Sequence, residues 1–167
     1  MNIQQQALHD FILYWQKKVQ TDEGITKSTE VMDTQKFWSE LIYDVFGESK
    51  STFELEFEKR INLINNKNKN CIDLYIPKSK ILIEQKCSKQ SLSAKYKQSD
   101  GTELTPFEEA KRYNDNLMFS ERGKYIITCN FKEFRIYDLD KKIPEQIIKL
   151  SDLENEIYRL ELLVKSE

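Results

Sequence analysis

The chain has 167 residues, of which 39% are hydrophobic, including nine Phe, eight Tyr and two Trp. This length and composition exclude a disordered chain and predict a single domain over residues 1–167 with a sizeable core. Three cysteines without a CxxC pair and one histidine argue against a zinc site, and a net charge of −2 gives the chain little attraction for a polyanion. We expect a cytoplasmic protein with reduced thiols and no membrane contact, because neither a signal peptide nor a long apolar segment is visible.

The N-terminal part of the chain is predicted to be helical. Apolar residues recur at helical spacing over residues 4–20 and again over residues 32–46, where the apolar stripe ends before Gly47. The connection over residues 21–30 is polar. We therefore interpret residues 1–30 as an N-terminal helical extension.

Three strands are predicted next. Phe53, Leu55 and Phe57 alternate with glutamates, which is typical of a strand with one solvated face. A polar loop, INNKNKN, follows this strand. Two apolar runs over residues 71–76 and 80–87 are then joined by a short turn, which predicts a hairpin.

A helix, two strands and a last helix complete the predicted elements. Residues 105–108, TPFE, form a capping box with proline at the first helical position, so a helix is expected there. Strands are predicted over residues 124–129 and 133–138. A second capping box at residues 151–154, SDLE, predicts a C-terminal helix over residues 151–163.

Three charged residues mark the predicted hairpin. Side chains on a strand alternate between its two faces, so Glu84 and Lys86 are expected to point to the same side of the sheet. Asp73 on the preceding strand is expected to share its face with Cys71 and Tyr75, and pairing of the two strands can bring it beside Glu84. The other residues of that strand are expected on the opposite face: Ile72, Leu74 and Ile76.

The approach of Asp73 to Glu84 predicts a metal site, because two neighbouring carboxylates repel each other unless a cation lies between them. Oxygen ligands of this kind suit Mg²⁺, or Mn²⁺ in its place, with water and a phosphate oxygen at the remaining positions. We expect Asp73, Glu84 and the backbone carbonyl of Gln85 to be the protein ligands. Lys86 is expected to hold or deprotonate a water and to offset charge on a phosphate, so Asp73, Glu84 and Lys86 are the predicted catalytic residues.

An aspartate on one strand followed by Glu-x-Lys on the next is the metal-binding signature of PD-(D/E)xK nucleases, which the chain resembles at Asp73, Glu84 and Lys86. The predicted order of helix, three strands, helix and strand is also similar to that fold. The expected fold class is therefore α/β, restriction-endonuclease-like, with a central mixed sheet flanked by helices. We expect a nuclease core over residues 32–140 that hydrolyses DNA phosphodiester bonds with Mg²⁺.

The triplet alone is a weak signal in a chain that is 32% charged. Only Glu84 follows an apolar run and has an acid-bearing strand just before it. For Asp73, Glu84 and Lys86 the alternative is an edge hairpin with one solvated face and a surface ion pair. Acid-x-Lys occurs four times in the chain: Glu48 to Lys50, Glu84 to Lys86, Glu109 to Lys111 and Asp140 to Lys142.

Four further residues are candidates for contacts with the metal or with DNA. Glu40, on the predicted helix before the strands, is a candidate metal ligand, and a place on a solvated helix face is its alternative. Lys89, Lys95 and Lys97 lie in a polar loop after the second hairpin strand. They are candidate contacts to DNA phosphates, with an ordinary solvated loop as the alternative.

Residues 37–140 more specifically resemble the N-terminal nuclease domain of type IIG restriction-modification enzymes, the Mme-type fusion group. The resemblance rests on the runs FWSELIYDVFG, IDLYIPKSKILIEQKCSK, TPFEEAKRYNDNL and KYIITCNFKEFRIYDL. It implies the same catalytic set, Asp73, Glu84 and Lys86. Where that family has glutamine before Ala-x-x-Tyr, this chain departs from the pattern with Glu109.

The resemblance also implies partners. We expect the chain to be the cleavage module of a longer enzyme that continues into an adenine-specific DNA methyltransferase, which uses S-adenosylmethionine, and a target-recognition domain. DNA is the expected substrate, and a transient dimer is expected for double-strand cleavage because one site cuts one strand. Two alternatives remain open: a stand-alone repair or resolvase-type nuclease of the same fold, and a non-catalytic docking module.

Overall fold

A mixed β-sheet forms the centre of the structure. The computed structural model describes residues 2–21, 23–61 and 70–166. Within these ranges, six strands form the main sheet and two short strands form a separate hairpin. The strands are β1 (Glu56–Ile61), β2 (Asn70–Ile76), β3 (Ile81–Gln85), β6 (Tyr125–Cys129), β7 (Glu133–Asp138) and β8 (Gln146–Lys149) in the sheet, and β4 (Tyr96–Lys97) and β5 (Glu103–Leu104) in the hairpin. The main sheet has the order β1-β2-β3-β6-β7-β8, in which β3 and β6 are parallel and the other neighbours are antiparallel.

Helices cover both faces of this sheet. α1 (Ile3–Val19), α2 (Glu30–Ser39) and the C-terminal segment share one hydrophobic cluster with one face. α3 (Pro106–Asp115) packs Ala110 and Tyr113 against the other face. The predicted α/β class, with a mixed sheet flanked by helices, is therefore confirmed. Within the described ranges, no helix has both the length and the apolar character needed to cross a bilayer.

The two N-terminal helices form close to the predicted positions. α1 begins with a capping box in which the Asn2 side chain accepts a hydrogen bond from the Gln5 backbone N–H at 2.8 Å, and the Gln5 side chain accepts one from the Asn2 N–H at 2.9 Å. α2 continues without interruption as a π-helix over Glu40–Val45. The helix predicted over residues 32–46 is therefore present, although its second half has the wider π-helical turn.

Aromatic rings join α1 and α2 to the sheet. Trp15 of α1 and Phe37 of α2 have no exposed surface. The ring centroid of Phe37 lies 5.1 Å from that of Trp15 and 5.2 Å from that of Phe131, both in edge-on geometry. Each ring buries a large apolar area, and edge-on pairs add to that stabilisation. This cluster holds α2 against the sheet, next to the charged hairpin.

Replacing Phe37 with alanine is expected to destabilise the fold by about 3–5 kcal/mol, because a cavity would open at the centre of this cluster. Urea unfolding followed by tryptophan fluorescence would measure the loss. Tyr158→Ala is a suitable control, because Tyr158 is 63% exposed. A loss no larger for Phe37→Ala than for this control would contradict the central place of the aromatic cluster.

The C-terminal segment differs from the prediction of one helix over residues 151–163. It consists of a 3-10 turn, the single α-helical turn α4 (Leu153–Glu156) and a 3-10 helix over Ile157–Leu163. The predicted capping box is wrong, because Asp152 rather than Ser151 precedes α4, and it makes no side-chain cap. A 3-10 helix has three residues per turn, so leucines three positions apart share a buried face. Two such pairs are buried here: Leu150 with Leu153 and Leu160 with Leu163.

Two strands also differ from the prediction. β1 begins at Glu56, so Phe53 is buried ahead of the strand, where its carbonyl accepts a hydrogen bond from the Tyr43 hydroxyl at 2.7 Å. β8 was not predicted, because this short edge strand has a single buried residue, Ile148, and no alternating pattern. The predicted INNKNKN loop lies outside the described residues except for Asn70, which begins β2.

The pairing of β1 with β2 is distorted at Asp73. Glu58, the residue across from it, has a φ of 53°, in the left-handed region that glutamate rarely adopts. Leu74 packs in the cluster of α1 and α2, whereas Ile72 packs in the cluster of α3. The prediction that Ile72 and Leu74 share a face is therefore wrong. The strand changes faces at Asp73, so the direction of its carboxylate is set by this distortion rather than by regular alternation.

Candidate active site

Asp73 and Glu84 lie side by side on neighbouring strands. Leu74 pairs with Ile83 in the antiparallel ladder, which places Asp73 across from Glu84. The Asp73 carboxylate raises the pKa of Glu84, as expected for two neighbouring acids. Asp73 Oδ2 also accepts a hydrogen bond from the backbone N–H of Gln85 at 2.7 Å. The structure thus brings together the three residues that the sequence suggested as metal ligands.

Lys86 extends from the same side of β3 as Glu84. Its Nζ lies 2.7 Å from Glu109 Oε2 and 3.7 Å from Glu84 Oε1. The ammonium also lies over the ring of Tyr96, 5.1 Å from its centroid. The Lys86 backbone N–H donates to the Cys129 carbonyl at 2.8 Å, which extends the parallel contact of β3 with β6. The lysine is therefore held by its backbone and by two neighbouring side chains.

The charges of these residues are strongly perturbed. Burial raises the pKa of Asp73 to about 7, although the hydrogen bond from Gln85 opposes this shift. Burial, followed by the neighbouring Asp73 and Glu109 carboxylates, holds the pKa of Glu84 well above its ordinary value. Burial lowers the pKa of Lys86, but Glu84 and Glu109 outweigh burial and the pKa is raised overall. The carboxylates repel one another, while the lysine stays protonated.

The chemistry of the Asp73 and Glu84 carboxylates suits a cation. Glu84 is 6% exposed, and its Oε2 atom has no hydrogen-bond partner in the described part of the chain. A buried carboxylate oxygen without a partner is costly unless it meets a positive charge. In the described ranges, no group of three or more His, Cys, Asp or Glu side chains is placed so that it could hold a metal ion by itself. Two carboxylates and one carbonyl nevertheless suit Mg²⁺, which usually keeps several waters and binds substrate phosphate.

The structure adds two acids that the sequence did not identify as site residues. Glu30, the first residue of α2, and Glu109 of α3 line the same cleft as Asp73 and Glu84. Glu30 accepts a hydrogen bond from the Thr34 hydroxyl at 3.1 Å, and burial raises its pKa. The available signal for Glu109 was an acid on the buried face of a helix, where it would need a charged partner. Glu30 gave no such signal, because acids are common at helix starts for reasons of stability alone.

Glu40 lies outside this cleft, so the suggestion that it is a metal ligand of the site is wrong. Its Oε2 accepts a hydrogen bond from the Trp15 indole N–H at 3.1 Å, and its Oε1 lies 3.8 Å from Lys36 Nζ. It lines a separate depression with Asp10 and Asp44. The helical turn that carries Glu40 faces α1, and Glu30, at the start of α2, is the acid from this helix that lies beside Asp73.

The three lysines proposed to contact DNA differ in position. Lys97 lines the cleft, together with Lys27 from the loop before α2, which the sequence did not indicate. Lys89 and Lys95 are exposed and are not among the described residues that line the cleft. Lys27 and Lys97 are therefore exposed cations that line the same cleft as the Asp73 and Glu84 carboxylates.

Trp38 supports the end of β3 from the opposite face of the sheet. Its indole N–H donates a hydrogen bond to Gln85 Oε1 at 2.8 Å, and both side chains are buried. The Gln85 side chain in turn donates to the Lys86 carbonyl at 3.3 Å. Because Gln85 lies between Glu84 and Lys86, this contact fixes the backbone from which both charged side chains project.

The perturbed carboxyl groups predict an unusual dependence of stability on pH. The folded chain holds the Asp73 and Glu84 protons more tightly than the unfolded chain does. The contribution of Asp73 to the free energy of unfolding is therefore present below about pH 4 and is lost as pH rises through about 7, by at most about 1.4 kcal/mol per pH unit. Glu84, whose pKa is also raised, contributes a loss of the same sign. Urea unfolding of the metal-free chain between pH 5 and 8 would measure this loss.

The matched control is Glu84→Gln, which removes one of the two repelling charges and should flatten this pH dependence. The difference in this pH dependence between the two proteins gives the effect of the carboxyl pair, because the other titrating groups are the same in both. Equal slopes for both proteins would show that the pair carries no strain in the folded state.

Comparison with known proteins identifies the family. The family model described as "MmeI, N-terminal domain" matches residues 1–167, the whole chain. Searches of curated proteins and of solved structures found no significant match. The match agrees with the resemblance recognised in the FW, IDLYIP, ILIEQK and TPFEEAKRY runs. The chain therefore belongs to the family of N-terminal domains of MmeI-type enzymes.

Proposed function

We propose that the chain is a Mg²⁺-dependent DNA endonuclease domain of the PD-(D/E)xK type, the cleavage module of a type IIG restriction-modification enzyme. The observation that carries this proposal is the convergence of Asp73, Glu84 and Lys86 in one cleft, where a buried Glu84 and a half-buried Asp73 lie side by side on neighbouring strands. Membership of the MmeI N-terminal family agrees with this function. A docking module would gain nothing from such a costly arrangement of charges.

Asp73, Glu84 and the Gln85 carbonyl would hold the metal. When bound there, Mg²⁺ would polarise the phosphoryl group and lower the pKa of a water molecule. The phosphodiester is hydrolysed when a water oxygen bonds to phosphorus and a DNA oxygen leaves. Because the Lys86 pKa is raised, its ammonium is suited to orienting the water and offsetting phosphate charge rather than accepting a proton.

The cleft also suggests how a DNA strand is held. Lys27 and Lys97 are exposed along the cleft that contains the carboxylates. Cations at this position can bind phosphates on either side of the bond to be cut. A net charge of −2 for the whole chain nevertheless gives weak binding. We propose that two other domains of the enzyme, a methyltransferase that uses S-adenosylmethionine and a target-recognition domain, supply most of the DNA affinity and all of the sequence specificity. Two copies of the cleavage domain would then act on the two strands of a duplex.

A plasmid-nicking assay with the 167-residue chain tests this function. We expect nicking that depends on Mg²⁺ or Mn²⁺, lacks sequence preference and is slow at physiological salt, because few phosphate contacts give weak binding. Glu84→Gln should abolish the activity. Glu40→Gln should leave it unchanged, since Glu40 lies outside the cleft.

The control variant makes the result interpretable. Nicking that survives Glu84→Gln would come from a contaminant or from another site, and would contradict the proposed active site. Cleavage at one defined sequence by this chain alone would show that recognition resides here, and the modular arrangement would be wrong. In that case the stand-alone nuclease would be the better description.

A further inference from the structure

We propose that Glu109 is a positioning residue that holds the Lys86 ammonium away from Glu84, so that the Glu84 carboxylate remains available to a cation. This inference rests on the proposed function, and it concerns a buried acid of α3 that forms an ion pair with Lys86.

The distances support a division of roles between the two glutamates. Lys86 Nζ lies 2.7 Å from Glu109 Oε2, a close ion pair whose angles do not make it a hydrogen bond, but 3.7 Å from the nearer Glu84 oxygen. The other Glu84 oxygen is buried without a hydrogen-bond partner among the described residues. The lysine therefore forms its close ion pair with α3, while Glu84 stays only partly neutralised.

The helix that carries Glu109 is firmly placed. Thr105 and Glu108 form a reciprocal capping box at its start, with hydrogen bonds of 2.9 Å and 3.2 Å. Ala110 and Tyr113, the residues after Glu109 on the buried side, pack against the sheet. Because the helix cannot easily shift, its carboxylate is a fixed anchor for the flexible lysine side chain.

The charge of Glu109 is the essential property. An uncharged glutamine at this position could accept a hydrogen bond from Lys86, but it would attract the ammonium much less. Among the remaining acids of the cleft, Glu84 is the one within 4 Å of the ammonium, and Asp73 and Glu30 act on it from farther away. Lys86 would pair with Glu84 and compete with a cation for the same oxygens. Glu109 thus affects the metal through Lys86, without being a ligand itself.

Calorimetric titration of the 167-residue chain with Mg²⁺, and separately with Mn²⁺, tests this inference without relying on DNA cleavage. Glu109→Gln is expected to weaken metal binding about tenfold, a typical loss for a residue that supports a ligand. Lys86→Met removes the competing ammonium and should preserve or tighten binding. When Glu109→Gln is added to Lys86→Met, metal affinity should therefore change little further.

A matched control is available next to Glu109. Glu108→Gln removes the same charge one position away, and glutamine can still form the capping box, so metal affinity should stay unchanged. Thermal melting of each variant would establish that the fold is intact.

Two results would overturn the inference. Unchanged metal affinity in Glu109→Gln would show that the ion pair does not govern the site. If Glu109→Gln lowered metal affinity equally in the unmodified chain and in the Lys86→Met variant, Glu109 would act on the cation directly. If the unmodified chain bound neither metal, the proposed metal site itself would fail, and this inference with it.

Discussion

Replacing Lys86 with methionine is expected to reduce DNA nicking by about 10²- to 10⁴-fold, while divalent-cation binding is retained. Methionine preserves the length of the side chain but cannot orient a water or offset charge on the phosphate. The loss should therefore appear in kcat, with little change in KM, because the interaction is made in the transition state. Single-turnover nicking at saturating Mg²⁺ would measure it.

Lys111→Met is the matched control for this experiment. Lys111 belongs to another acid-x-Lys triplet, but it forms an exposed ion pair with Asp115 on α3. Its replacement should not affect nicking. Loss of metal binding or of the fold in Lys86→Met, rather than loss of the chemical step, would instead assign Lys86 a structural role.

Asp73→Asn is expected to abolish Mg²⁺ binding and, at the same time, to stabilise the metal-free chain. The amide oxygen can still accept the hydrogen bond from the Gln85 N–H, but the repulsion with Glu84 disappears. Because burying an uncompensated charge is costly, we expect a gain of about 1–3 kcal/mol at pH 8. Thermal melts at pH 8 with and without Mg²⁺, together with calorimetry, would measure both effects.

The opposite signs of these two effects make the prediction specific. A residue needed only for folding would lose stability when replaced, whereas a ligand in a repelling pair gains stability and loses the metal. Asp115→Asn, at an exposed position, should change neither quantity. Equal binding heats for the Asp73→Asn variant and the unmodified chain would rule out Asp73 as a ligand.

The charged hairpin could be predicted because it depends on local rules. Strand alternation alone places Glu84 and Lys86 on one face, and a short turn suffices to pair the two strands. The same rule failed at Ile72, where the distortion opposite Glu58 reverses the faces of β2. A local backbone distortion of this kind, at a residue with positive φ, leaves no sign in the alternation of apolar residues.

The other acids of the cleft could not be predicted in this way. Glu30 and Glu109 are distant in sequence from the hairpin and reach it because α2 and α3 pack beside the end of β3. Glu40 was suggested because it lies on the helix predicted over residues 32–46, whereas Glu30 fell in the predicted polar connection over residues 21–30. The sequence did not show how this helix is rotated about its axis. That rotation is set by the aromatic contacts of Phe37 with Trp15 of α1 and with Phe134 of β7.

The sequence by itself determined the α/β class, most of the strands and the family, since each depends on periodicity or on motifs within a few residues. Tertiary structure alone decided the strand change at Asp73, the 3-10 form of the C-terminal segment, the approach of Glu30 and the ion pair of Lys86 with Glu109. The physical reason is that the spacing of apolar residues along the sequence indicates only which side of a helix or strand is apolar. The partner that each charged side chain meets depends on how packed elements are rotated and spaced, and that is set by the whole core.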